Sequence, residues 1–231
     1  HKDIWKMILE VLYMAADIGS NMKTFVLNKI HKTSLKYKKI VNNSYRKFVV
    51  LILISTVPTG VIGVLGRDLI TAASGTLLIP GICLLITGVL LLMADLAQDG
   101  RALPKNVSCR TGLIIGAAQG LATLPGLSRS GTTITACILC GLDRKFAVKY
   151  SFILSIPAVL GAAVLEIRDV IAEPAAVSQI GIYAIGMVFA AVVGYVCIKT
   201  MLVVVRSKKF KYFSWYCFAV GAVAIAGHFL L

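Results

Sequence analysis

The stretch from Thr111 to Leu142 is apolar enough for a membrane, yet it carries one charge, Arg129. Around that charge the segment Leu124-Pro125-Gly126-Leu127-Ser128-Arg129-Ser130-Gly131-Thr132-Thr133 gathers two serines and two threonines. An arginine at the centre of a bilayer costs ~3 kcal/mol or more, so such residues face a polar cavity or a partner. Irregular backbone around a Pro-Gly pair meets the same limit, because lipid offers no hydrogen bonds. Any fold of this chain must therefore bring Arg129 to polarity without exposing the backbone beside it to lipid.

The rest of the chain lives in the same solvent. Hydrophobic residues make up 58% of it and charged ones 15%, and five apolar runs approach the ~20 residues that a spanning helix needs. They are Phe48 to Leu65, Gly75 to Ala94, Phe146 to Leu165, Ile180 to Val205 and Tyr212 to Leu231. The fold class is all-α, a polytopic membrane protein forming one integral membrane domain over residues 1–231. Pro58 predicts a kink or break in the first run. Ile4, Ile8, Val11, Leu12 and Ala15 share one face of an amphipathic helix over residues 3–18. A basic surface segment or loop follows up to residue 47.

The net charge of +14 sits between the apolar runs, which is where topology places it. It reads as contact with membrane lipids rather than with nucleic acid. The basic stretches at 23–47 and 206–211 belong on the cytoplasmic side. Residues 67–74, with a short neutral turn at Arg67-Asp68, and 166–177 belong outside. Counting from either end puts both 95–110 and 143–149 on the cytoplasmic face. Residues 111–142 must then enter the membrane and return. Each half has about 14 residues, too short to span, so the segment is a re-entrant helical hairpin with Pro125 to Arg129 at its tip.

That tip has the makings of an anion receptor. Ser130 is placed to cap a helix running on from Gly131, whose N-terminus would offer free N–H groups and a positive dipole end. Arg129 adds a bidentate donor, and Ser128 and Thr133 add hydroxyls. Gly126 and Gly131 let backbone approach a ligand, and Gln119 can reach it from the incoming arm. An acid elsewhere, Asp95 or Glu166, is the competing partner for Arg129. Helix packing is the competing role for Gln119. Cys137-x-x-Cys140 lacks the further ligands a metal site needs, and no carboxylate pair or positioned histidine accompanies the tip. The Gly126-x-Ser128-x-Ser130 spacing also differs from a serine-hydrolase elbow.

At these residues the chain resembles the bacterial undecaprenyl-pyrophosphate phosphatases, also called bacitracin-resistance proteins. Their Pro-Gly-x-Ser-Arg-Ser-x-x-Thr motif is matched by Pro125, Gly126, Ser128, Arg129, Ser130 and Thr133, and Gln119 matches a glutamine that often precedes it. Val57 to Gly63 and Lys149 to Pro157 resemble family segments too. The resemblance implies an inverted repeat of two re-entrant hairpins in a bacterial cytoplasmic membrane. It implies hydrolysis of the C55 isoprenyl pyrophosphate carrier, which recycles that lipid for the cell wall and confers bacitracin tolerance.

On this resemblance Arg129 grips the pyrophosphate and Ser128, Ser130 and Thr133 support it. Pro125, Gly126, Gly131 and Gln119 line the substrate. The resemblance allows a homodimer, and a divalent cation (Mg or Ca) in the full-length family. The family's first repeat, with a Glu-x-x-x-Glu motif and a serine-rich tip ending in Gly-His, has no counterpart here. The expectation is therefore a chain lacking that repeat, with half of an active site, no cofactor of its own and little turnover alone. The competing functions are a transporter or flippase of a phosphorylated lipid or other anion, and a non-catalytic scaffold.

Overall fold

The computed structural model describes residues 2–31, 34–98, 100–171, 180–207 and 209–230. These are helical throughout apart from connections and one isolated backbone bridge. The helices are α1 (Lys2–His31), α2 (Ser44–Leu65), α3 (Arg67–Ser74), α4 (Leu78–Leu96), α5 (Cys109–Leu121), α6 (Arg129–Leu139), α7 (Arg144–Ile171), α8 (Ile180–Arg206) and α9 (Phe210–Leu230). Five of them, α2, α4, α7, α8 and α9, are long and apolar enough to cross a membrane, and they coincide with the five apolar runs.

The hairpin is re-entrant in geometry as well as in charge logic. At 1.5 Å per residue, α5 and α6 reach only about 20 and 16 Å, well short of the ~30 Å hydrocarbon core. The loop leading to α5 is tied to the chain leaving α6. Ala102 N–H donates to Gly141 O (3.1 Å) and Asp143 N–H to Ala102 O (3.1 Å). The chain therefore enters and leaves the hairpin at one level. Gly141, at φ +81°, ends α6, with Leu142 N–H reaching back to Cys137 O, the left-handed cap that lets the chain leave a helix abruptly.

Helix α5 lies parallel to α2, joined by hydroxyls bonding to carbonyls across the interface. Ser55 Oγ donates to Gly112 O (2.6 Å) and Thr59 Oγ1 to Gly116 O (2.8 Å). Gly112, Gly116 and Gly120 form the facing stripe, a small-residue surface of the kind that brings membrane helices close. Tyr150 of α7 closes the junction: it is fully buried, shares a 2.7 Å bond with Ser55 Oγ, and packs edge-on against Phe146 and tilted against Phe48. On the other side α4 and α9 run antiparallel, with Phe218 over Gly88 and Lys211 N–H donating to Asp95 Oδ2 (2.8 Å).

Several local expectations are corrected. Of the kink or break expected at Pro58, the break does not occur, and α2 continues to Leu65. Arg67 and Asp68, expected in a turn, open a short helix that runs to Ser74. The amphipathic helix does not stop at residue 18 but runs to His31, taking up the first part of the basic stretch. Its Ile4, Ile8, Val11 and Leu12 stripe stays exposed, while Met7 and Met14 are buried. Arg46, itself buried, holds α1 in place through Glu10 Oε2 (2.8 Å) and Asp17 Oδ2 (2.6 Å). Residues 172–179, part of the acidic connection read as external, lie outside the described residues.

Candidate functional site: the hairpin tip

Helix α6 begins at Arg129, and its N-cap is Ser128, not Ser130. Ser128 has extended backbone, and its Oγ accepts the Gly131 N–H (3.2 Å). Serines flank Arg129 on both sides, and the one before it takes the cap. Gly131 decides between them, because its bare Cα lies against the Ser128 side chain, where a Cβ would come within 2.9 Å of Oγ. The first helical turn therefore belongs to Arg129 and Ser130. With Thr132 N–H bonded to Ser128 O, the N–H groups of Arg129 and Ser130 have no partner among the described residues, the arrangement that favours an anion.

The tip is pinned to the middle of α4. Thr87 Oγ1 donates to Gly126 O (3.1 Å) and accepts the Ser128 N–H (3.0 Å). Thr87 is central in Leu78–Leu96, which sets the tip near mid-membrane. Gly126, at φ +86°, presses so close to α4 that a Cβ would stand 2.2 Å from Pro80 O. No side chain fits there, and the left-handed conformation disfavours one anyway. Replacing Thr87 by valine should leave a carbonyl and an N–H unpaired. The expected cost is ~1–3 kcal/mol, read as a lower thermal midpoint in detergent, with Thr87→Ser close to the parent.

A cavity of about 360 Å³ opens beside the start of α6. Gln119, Arg129, Ser130, Thr133, Ser151, Phe152, Ser155 and Ile198 line it. Four of the residues expected from sequence thus meet there: Gln119, Arg129, Ser130 and Thr133. Ser128, Pro125, Gly126 and Gly131 do not line it; they shape and anchor the turn.

Arg129 has neither Asp95 nor Glu166 as a partner, and among the described residues its guanidinium has no hydrogen bond or ion pair. Gln119 is fully buried; its Nε2 donates to Leu154 O (3.4 Å), and its Oε1 has no partner. A buried amide oxygen left unpaired costs ~1–3 kcal/mol, which makes it a place for a ligand's donor. Thr133 is differently engaged: its Oγ1 donates to Arg129 O and accepts from Ser151 Oγ (3.0 Å). It fixes the helix start that carries Arg129.

The cavity lining holds no carboxylate, imidazole or thiol. Among the described residues no group of three His, Cys, Asp or Glu comes together. These donors do not fit a divalent cation. All six cysteines are free thiols, including Cys137 and Cys140.

Ser151 and Ser155 were legible only as part of a family-like segment. Their i, i+4 spacing in an apolar helix places both on one face, which was the available signal. Ile198 carried none, since any apolar residue of α8 reads the same.

A model of the bacitracin resistance protein BacA family matches residues 7–223. The chain belongs to the BacA family. Among BacA-like relatives it is 37% identical to an undecaprenyl-diphosphatase of Alkaliphilus metalliredigens (strain QYMF), over 91% of this chain and 76% of that protein. It is 33% identical to an undecaprenyl-diphosphatase of Methanobrevibacter smithii, over 96% of this chain and 80% of the relative. It is 40% identical to one of Methanothermobacter thermautotrophicus, where 76% of this chain matches 98% of the relative.

Proposed function

We propose that this protein hydrolyses undecaprenyl pyrophosphate to undecaprenyl phosphate and inorganic phosphate, in the cytoplasmic membrane of a bacterial cell. One observation carries the reading: an unpaired Arg129, two open N–H groups and an orphaned Gln119 oxygen share a cavity at membrane depth. An anion with a lipid tail is the ligand whose charge and solubility match that place. The names of the relatives favour hydrolysis over carriage of the same lipid.

In this reading the pyrophosphate lies against the start of α6. Arg129 takes two of its oxygens, and the N–H groups of Arg129 and Ser130 take others. Water attacks the terminal phosphorus, and the bond to the bridging oxygen breaks, leaving its electron pair on the lipid phosphate. The fixed cationic and dipolar groups act on the negative charge of that transition state. Gln119 Oε1 accepts from a protonated phosphate oxygen or from water. The described residues lining the cavity grip and orient; none of them is a carboxylate or imidazole, so the water's protons stay on the oxygens of the released inorganic phosphate.

The test is phosphate release from undecaprenyl pyrophosphate by the protein produced from its own gene and solubilised in detergent. Gln119→Leu should lower release by about 10-fold or more, since it removes the acceptor. Release at background level for the parent protein would overturn the hydrolytic reading.

A further inference from the structure

A second cavity, of about 340 Å³, lies near the basic end of the bundle, between the starts of α2 and α7 and the loop before α5. It shares no lining residue with the cavity beside Arg129. Lys149 and Ser151, two residues apart, project from widely separated faces of α7. Three aromatic rings, Tyr45, Phe48 and Phe146, form much of its wall, and Leu103 stands exposed at its edge. Lys145 and Lys149 line it as well. The Lys149 ammonium sits 5.5 Å from the Tyr45 ring centre and 5.9 Å from that of Phe48, and Lys6 reaches the same Tyr45 ring from α1 at 5.6 Å. The one acid there, Asp143, has Oδ1 engaged by the Phe146 N–H (3.0 Å).

Cations above an aromatic floor, at the level where two apolar helices begin, match an amphiphile with a negative head and an apolar body. A soluble phosphate would have no use for the ring wall, and an acyl chain alone none for the lysines. We propose that this cavity binds an anionic membrane phospholipid, its phosphate between Lys145 and Lys149 and its glycerol and first acyl carbons against Phe48, Phe146 and Leu103. The assignment stands apart from the proposed hydrolysis.

Native mass spectrometry of the detergent-purified full chain with added phosphatidylglycerol tests it. Lys145→Gln or Lys149→Gln should each lower the retained lipid roughly 5-fold, and the pair roughly 30-fold. The exposed pair Lys36→Gln/Lys39→Gln, outside the cavity, removes the same charge and should leave retention within about 2-fold. Leu103→Asp should weaken retention with both lysines intact. Equal losses from the two lysine pairs would mean diffuse attraction to basic surface, and would overturn the site. So would equal retention of phosphatidylcholine, or displacement of the lipid by excess inorganic phosphate.

Discussion

Arg129→Ala should lower phosphate release from undecaprenyl pyrophosphate by ~10²- to 10³-fold, the usual consequence of removing one preorganised donor to a charged transition state. The thermal midpoint in detergent should not fall, because no described residue depends on this guanidinium for a hydrogen bond or ion pair. Its loss removes an unpaired charge from membrane depth, which stabilises if it does anything. Arg129→Lys should recover little activity: a lysine restores the charge but not the planar pair of N–H groups. The combination of lost activity and kept stability is what distinguishes a ligand-gripping arginine from a structural one. A variant that unfolds, or one that keeps near-parental release, would remove Arg129 from the proposed role.

The hairpin was legible because two independent signals agreed on it. Loop charge required residues 111–142 to return to their own side, and length forbade two spans. Arg129, Ser130, Thr133 and Gln119 were legible because polar groups at membrane depth are costly enough to be noticed. Their roles were less so. Ser128 and Ser130 are both good caps, and only the contact of Gly131 with Ser128 decides between them. Thr87 carried no signal of its own, since a threonine in an apolar helix commonly bonds back to its own helix. That bond exists, to Cys83 O, but the same hydroxyl also holds the tip. The apolar stripe of α1 left its covering partner open, packed helix or membrane interface, for a related reason. A hydrophobic face says that something apolar covers it, and near a bilayer lipid can do so as well as protein.

Gly116→Ala should destabilise the protein and impair release together. A Cβ at Gly116 would stand 2.1 Å from Ser55 O and 2.7 Å from Pro58 Cγ. Both belong to the backbone or a rigid ring, so neither can rotate away, and α5 must move off α2. That movement strains the bonds from Thr59 to Gly116 O and from Ser55 to Gly112 O. Overpacking of this kind costs ~1–3 kcal/mol, a midpoint lower by roughly 5 °C. Gln119 follows Gly116 by one helical turn, so the same shift displaces its amide from the cavity. Gly112→Ala is the discriminating comparison. It lies on the same stripe, but its nearest contacts are 3.4 to 3.5 Å away and belong to side chains. It should behave nearly as the parent does. If both alanines prove equally harmless, close backbone approach at Gly116 is not what sets the depth of α5, and the link from helix contact to the position of Gln119 fails with it.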